Sequence, residues 1–306
     1  MPWRESQDFY PVWLSEIMLQ QTRVEAVIPY YARFLERFPT LDALAAAGES
    51  EVLAVWSGLG YYSRGRNLLR AAKLIADSGA PRSYEDVLRL PGVGGYTAAA
   101  IASIALGLPH AAVDGNVMRV ISRLTNDASE IGSSAARKRF SSVAAALLAP
   151  RRPGDFNQAM MELGATLCVP RAPACGVCPV ARYCSARAHG TAPELPVKLG
   201  KKVTRDITLN LVLIRRADHV FLVQRDHNER RMAGFWELPA ASMFPRPFVK
   251  ELYRFFHPIV NDRYDVSVRS GRPGKLPPGK WFSEEEVGLI PLTTITRKAL
   301  LAARSG

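Results

Sequence analysis

Cys168, Cys175, Cys178 and Cys184 are the only cysteines among 306 residues, with gaps of six, two and five residues between them. Four thiols this close point to one shared ligand set and leave nothing for a disulfide framework. Thiolates are soft donors that suit zinc or an iron–sulfur cluster. Zinc ribbons usually pair two short Cys-x-x-Cys knuckles, or one knuckle with two histidines, and this segment has one knuckle and a lone His189 outside the spacing. The spacing favours a [4Fe–4S] cluster and leaves zinc open. Two carboxylates offer a second chemistry. Glu16 lies within the apolar run Trp13-Leu14-Ser15-Glu16-Ile17-Met18. It belongs either to a solvated helix face or to a half-buried pocket, where burial would keep it protonated as a general acid. Asp114, ahead of Gly115 and Asn116, reads first as a helix N-cap.

The elements that must carry these groups are mostly helical. Pro11 to Gln21 is an apolar-rich run, and helical patterns follow at about 25–37, 41–47, 51–57, 63–77, 83–89, 96–106, 115–124, 134–148 and 156–167. Breaks are expected at Pro39, Gly48-Glu49-Ser50, Gly58-Leu59-Gly60, Gly79-Ala80-Pro81 and Pro153-Gly154-Asp155. Between two of the helices lies Leu90-Pro91-Gly92-Val93-Gly94-Gly95-Tyr96. Glycines there free the turn of Cβ atoms and let a phosphate approach the N–H groups that open the next helix, a helix–hairpin–helix clamp. An ordinary tight connection also uses Gly and Pro. Residues 191–203, with Pro193, Pro196, Gly200 and three lysines, read as a linker. Beyond it the period changes. Ile207–Ile214 and Val220–Gln224 are β-rich around the turn-forming Arg216-Ala217-Asp218. The expected fold is a mainly α domain over 1–190, including the cysteine loop, and a mixed α+β domain over 204–306.

A net charge of +12 favours a polyanionic partner, and both halves are basic. No stretch is apolar and long enough to span a bilayer, and the start lacks the apolar run of a signal peptide. A reducing cytoplasmic setting, with no membrane partner, is the expectation.

Together these features resemble a known arrangement. The Leu-Pro-Gly-Val-Gly hairpin, the Asp some eighteen residues beyond it and the cysteine spacing are similar to the endonuclease III superfamily of DNA base-excision glycosylases. Trp3-Arg4, Leu14 to Thr22, Gly58-Leu59-Gly60-Tyr61-Tyr62-Ser63-Arg64 and Phe156-Asn157-Gln158-Ala159-Met160 resemble the MutY-type adenine DNA glycosylases. The resemblance runs through nearly all of residues 2–190 and implies one [4Fe–4S] cluster on the four cysteines, with no nucleotide cofactor. It implies that the partner is double-stranded DNA holding adenine opposite 8-oxoguanine or guanine, bound by a monomer associated with the nucleoid.

By the same resemblance Glu16 is the acid that protonates adenine, and Asp114 stabilises or traps the cationic sugar. Asn116 and Tyr96 orient them, while Trp3, Arg4 and Gln158 line the flipped base. Gln21 and Tyr61 wedge into the duplex, with Leu19, Gln20 and Thr22 near the orphaned base. Gly92, Val93, Gly94 and Gly95 hold the DNA backbone. Tyr96 stands where bifunctional relatives place a lysine, and a tyrosine forms no imine, so an abasic site with little or no strand cleavage is expected.

The C-terminal part resembles a Nudix fold at Phe221-Leu222-Val223-Gln224-Arg225 and Gly234-Phe235-Trp236-Glu237-Leu238-Pro239. The run of metal-binding glutamates after Pro239 is missing, so a Mg²⁺-dependent pyrophosphatase is not expected. Where the family carries a Phe-Ser-His turn that senses the lesion, this chain has Phe255-Phe256-His257, and region 239–250 looks short. The lost hydroxyl implies a weaker preference for 8-oxoguanine. A thymine glycosylase acting at T·G mismatches and a non-catalytic DNA-binding module are the rival readings. The Glu16 context and the second domain stand against the first, and the intact Glu16/Asp114 pair against the second.

Overall fold

The computed structural model describes residues 1–199, 205–226, 228–229, 232–245, 250–259, 262–271 and 273–303. Contacts divide the chain into two units, Met1–Ala46 with Asn67–Gly200 and Ala47–Arg66 with Lys201–Gly306. Of the expected linker, residues 200–203 lie outside the described residues, as do Thr204, 246–249 and 304–306.

The first unit is helical. It holds α1 (Phe9–Leu19), α2 (Val24–Arg37), α3 (Leu41–Ala46), and most of α5, whose full span is Ser63–Ser78. It continues through α6 (Tyr84–Leu88), α7 (Gly95–Ala105), α8 (Gly115–Leu124), α9 (Ser134–Leu147), α10 (Pro153–Thr166) and the short α11 (Ser185–Ala188). Helix α4 (Glu49–Trp56) belongs to the second unit. An amphipathic helix such as α2 buries one stripe, here Val27, Tyr31 and Phe34. Helix α1 differs, because Tyr10 and every residue from Val12 to Met18 are buried. A helix apolar all round must be central, and α1 packs on α7, whose small residues Ala98, Ala99, Ala100 and Ala102 allow close approach. Glu16 is carried inside by its neighbours.

Two expected boundaries shift. Gln21 leaves the helix with φ +56, so α1 ends at Leu19. Pro153-Gly154-Asp155 is not a break but the first turn of α10, where Pro at the first position costs no backbone hydrogen bond. Gly154 is required there because a Cβ would stand 2.8 Å from the Ser103 carbonyl oxygen. The first part of the expected linker is also a packed strap. Ala192 and Leu195 are buried, and the Ile131 N–H donates to the Val197 carbonyl at 3.0 Å.

In the second unit a three-stranded sheet runs in the order β1 (Arg205–Leu213), β6 (Asp262–Ser270), β5 (Lys250–Ile259), with β1 parallel and β5 antiparallel to β6. The other sheet joins β2 (Arg215–Arg216), β3 (His219–Gln224) and β4 (Trp236–Glu237), and β7 (Lys280–Ser283) pairs with β3. Leu211 and Leu213 face one apolar cluster, while Val212 and Ile214 face another. Strand alternation therefore buries both faces. Helices α12 (Glu284–Leu289) and α13 (Thr294–Ala302) complete the unit. Among the described residues no helix is long and apolar enough to cross a membrane.

Candidate active site and cysteine cluster

Glu16 and Asp114 are held by different means. Glu16, 8% exposed, sits in the middle of α1. Burial pushes its carboxyl up to about 7, the negative charge of Asp114 adds to this, and a hydrogen bond with the Tyr96 hydroxyl pulls the other way. Asp114 is the N-cap of α8. Its Oδ1 accepts from the Val117 N–H at 2.7 Å, and its Oδ2 accepts from Asn116 Nδ2 at 3.0 Å. Both oxygens of the Asp114 carboxylate are therefore held at the start of the helix. The N-cap reading and the chemical reading of Asp114 are thus one geometry. The site pairs a buried carboxyl of raised pKa with a carboxylate fixed by hydrogen bonds.

Tyr96 lies in the first turn of α7, directly after the hairpin. Burial, followed by the nearby Glu16 and Asp114 charges, lifts its phenol above the ordinary range, so it stays a neutral donor. Its hydroxyl also lies 3.0 Å from Met161 Sδ. Arg4 pairs with Glu162, one helical turn beyond the half-buried Gln158. Glu162 was not singled out from sequence, and Trp3 is buried edge-on against Tyr31. Asn157 cross-braces the site by accepting from the Ala112 N–H and donating to Ser103 Oγ and the His110 carbonyl.

The glycines of the hairpin have separate jobs. Gly92 has φ +81, and a Cβ there would stand 2.8 Å from Asn67 Cβ, so the turn needs glycine twice over. Gly94 has φ −101 and nothing within 4 Å of its Cβ position, and Val93 leads into it after a turn bond from its N–H to the Leu90 carbonyl. Gly95 opens α7. Gly92→Ala is therefore expected to destabilise the fold by about 2 kcal/mol. Gly94→Ala should stay within about 0.5 kcal/mol of the wild type while weakening duplex DNA binding about tenfold. Urea denaturation and DNA titration measure the two, and equal stability losses would contradict the division of labour.

The turn that follows α1 is tied to this hairpin. Gln20 Nε2 donates to the Gly92 carbonyl and to Thr97 Oγ1, both at 3.2 Å, and Thr22 Oγ1 donates to the Gln20 carbonyl. Leu19 and Gln20 are half-buried, and Gln21 projects outward in a left-handed backbone. In the second unit Tyr61 is likewise exposed with φ +47, while Tyr62 packs in the core against Phe235 at a centroid distance of 4.3 Å. Phe255, Phe256 and His257 lie within strand β5 rather than in a turn. The β5–β6 register pairs Ile259 with Asp262, and residues 260–261 lie outside the described residues. Phe255 packs half-buried on the core, and the Arg263 guanidinium lies 5.6 Å from the Phe256 ring centroid. His257 Nδ1 lies 3.1 Å from Lys298 Nζ, and burial with that charge lowers its pKa.

The four cysteines are half-buried free thiols that line one cavity with Val120, Leu163 and Leu167. Four thiol donors around one cavity with no carboxylate in its lining suit an iron–sulfur cluster. Two arginines of α8, unnoticed in the sequence, organise the loop. Arg123, 1% exposed, donates to Cys168 Sγ and to the carbonyls of Val169, Pro170 and Leu195. Arg119 donates to the Cys168 and Gly164 carbonyls and to Asn116 Oδ1. A continuous set of hydrogen bonds therefore joins Asp114, through Asn116 and Arg119, to the backbone of Cys168. Gly164 allows the approach of α10, since a Cβ there would lie 2.8 Å from Asn116 Cβ.

Residues 14–145, which include Glu16, the hairpin and Asp114, match the HhH-GPD superfamily of base excision DNA repair proteins. Residues 168–184 match the iron–sulfur binding domain of endonuclease III, which assigns the cysteines to a [4Fe–4S] cluster. Adenine DNA glycosylase of Homo sapiens is 33% identical over 97% of this chain and 70% of its own length. The Rattus norvegicus enzyme is 48% identical over 69% of this chain, which spans only 43% of that relative. Among solved structures, a thermostable thymine-DNA glycosylase aligns at TM-score 0.54 and 29% identity, covering 62% of this chain and 88% of that one. An endonuclease III–DNA complex, at TM-score 0.51, 22% identity and coverage of 60% and 86%, shares the fold. With an acid and a fixed carboxylate around the hairpin, and a cysteine loop braced by α8, the chain belongs to the adenine DNA glycosylase family of helix–hairpin–helix base-excision proteins.

Proposed function

We propose that this protein hydrolyses the N-glycosidic bond of adenine mispaired with 8-oxoguanine or guanine in duplex DNA, leaving an abasic site. The observation that carries this reading is the buried Glu16 beside the N-cap carboxylate Asp114, with the Tyr96 hydroxyl in reach. Removing a base from a duplex first requires flipping it from the stack, at a cost of a few kcal/mol. Gln21 and Tyr61, both exposed and both with left-handed backbones, fill the gap. Leu19, Gln20 and Thr22 meet the orphaned partner base. Arg4 and Gln158 read the flipped adenine, with Glu162 setting the direction of Arg4 and Trp3 forming a wall of the packing behind it.

Adenine leaves poorly until it is protonated. Glu16 delivers its proton to N7, and the C1′–N9 bond breaks with its electron pair going to the base. The sugar becomes oxocarbenium-like, and the negative charge of Asp114 stabilises it or captures it covalently before water adds at C1′. Glu16, now ionised, takes the proton of that water. Asn116 and Tyr96 hold the two carboxylates in place. The cluster supplies a rigid cross-link and leaves bond breaking to the carboxylates. Arg171, Arg182 and Arg187 in and beside its loop present positive charge to phosphates.

Tyr96 in place of an amine gives a monofunctional enzyme, and the protein acts as a monomer. Phe256 in place of a hydroxyl makes the preference for 8-oxoguanine over guanine weaker than in relatives that keep the serine. The test is base release from A·8-oxoguanine, A·G and T·G duplexes, with borohydride present in a parallel set. Adenine release without a trapped adduct is expected. A stoichiometric protein–DNA adduct would contradict the monofunctional assignment, and thymine release as the dominant activity would favour the T·G reading.

A further inference from the structure

Tyr61 is 45% exposed and has φ +47, a backbone region that costs any residue with a Cβ. Gly58 at φ +102 and Gly60 at φ +76 precede it, so three of four successive residues are left-handed. A strained loop that projects a ring persists only when its surroundings over-determine it. Arg64 provides that restraint. Its side chain is not on the surface, as a basic residue in a DNA-facing loop would ordinarily be, because Arg64 is only 7% exposed. Its Nη2 donates to the Leu59 carbonyl at 3.3 Å and to the Gly60 carbonyl at 3.2 Å. Its guanidinium carbon lies 5.2 Å from the Tyr61 ring centroid and 5.6 Å from the Trp56 ring. Trp56 Nε1 also donates to the Gly60 carbonyl, and the Arg64 N–H closes the turn on the Tyr61 carbonyl at 2.8 Å. A planar fork can hold two carbonyls while stacking on rings, which a lysine cannot reproduce.

We propose that Arg64 is the positioning residue for Tyr61, fixing the ring in the posture from which it enters the duplex, and that Arg64 itself makes no phosphate contact. This rests on the glycosylase reading and on Tyr61 as the wedge.

The test uses the full chain with its cluster, as wild type, Arg64→Lys, Arg64→Met, Tyr61→Gly and the two double variants. The probe is a duplex with 2-aminopurine beside an adenine opposite 8-oxoguanine, whose fluorescence rises on unstacking. Each Arg64 variant is expected to reduce the fluorescence gain and to slow single-turnover base release about tenfold. The salt dependence of DNA binding should not change, because no phosphate contact is lost. In the Tyr61→Gly background the same Arg64 changes should add less than about twofold, since no ring remains to be positioned. Independent losses that multiply in the double variants, a shallower salt dependence, or full activity in Arg64→Lys would each overturn the proposal. Should Arg64→Met not fold, the Arg64→Lys pair of variants decides alone. Absence of base release by the wild type is a failure of the glycosylase reading itself. The coupling between Arg64 and Tyr61 is still read from the fluorescence on binding.

Discussion

Glu16→Gln is expected to lower single-turnover adenine release by on the order of 10³-fold while leaving affinity for the mispaired duplex within about threefold. The amide keeps the shape of the side chain in a tightly packed helix but has no proton to deliver to N7. Because burial and the Asp114 charge hold the Glu16 carboxyl up at about 7, the wild-type rate should fall as pH rises through about 7. The glutamine variant should lack that limb. A linked effect on stability has a definite sign. A carboxyl whose folded pKa is raised binds its proton more tightly when folded, so its contribution is fully present below the unfolded carboxylate pKa. That contribution is lost as pH rises through the folded value. At pH 8 the wild type carries a buried negative charge and Glu16→Gln does not. The variant should therefore be the more stable protein there, by on the order of 1–3 kcal/mol. Equal stability at pH 8, or a wild-type rate that climbs with pH, would remove the basis for the acid role.

Asp114→Asn should be almost as damaging to the reaction and nearly silent in the fold. Asparagine caps helices about as well as aspartate. The bond from the Val117 N–H therefore survives, and unfolding in urea should move by no more than about 0.5 kcal/mol. On the proposed mechanism what disappears is the negative charge that stabilises the cationic sugar, worth roughly 10²–10³-fold in rate for an electrostatic group at a reacting centre. Rates near wild type would mean that Asp114 is only a cap. A large loss of stability would mean that the charge serves the fold rather than the chemistry.

Much of this arrangement is legible in the residues because local rules and global packing agree. Helix α8 begins at the expected Gly115 because Asp114 caps it, and the hairpin stands where Gly92 needs a positive φ. The cysteines gather around one cavity as their spacing implies. Other features depend on tertiary burial, which a local pattern does not encode. Glu16 alone reads as a solvated residue, and only the apolar character of all faces of α1 carries it inside. Arg119 and Arg123 look like the polar stripe of an amphipathic helix, yet they donate to backbone carbonyls of the cysteine loop and of the segments on either side of it. The signal available was two arginines four residues apart with no acidic partner on their helix. Residues 47–66 group with the C-terminal residues through contacts such as Tyr62 with Phe235 and Arg66 with the Ala233 carbonyl, distant in sequence and so invisible to periodicity. Phe255 to His257 became strand because the pairing with β6 runs on to Ile259, and no turn residue among the three interrupts it.

The release of adenine by Glu16 and Asp114 is tested most sharply by single-turnover base release from an A·8-oxoguanine duplex by wild type and Glu16→Gln across pH 5 to 9. Free adenine is expected from the wild type, declining above about pH 7, with near-complete loss at every pH in the variant and duplex binding intact. Base release by Glu16→Gln at a rate close to wild type would contradict the acid role of Glu16.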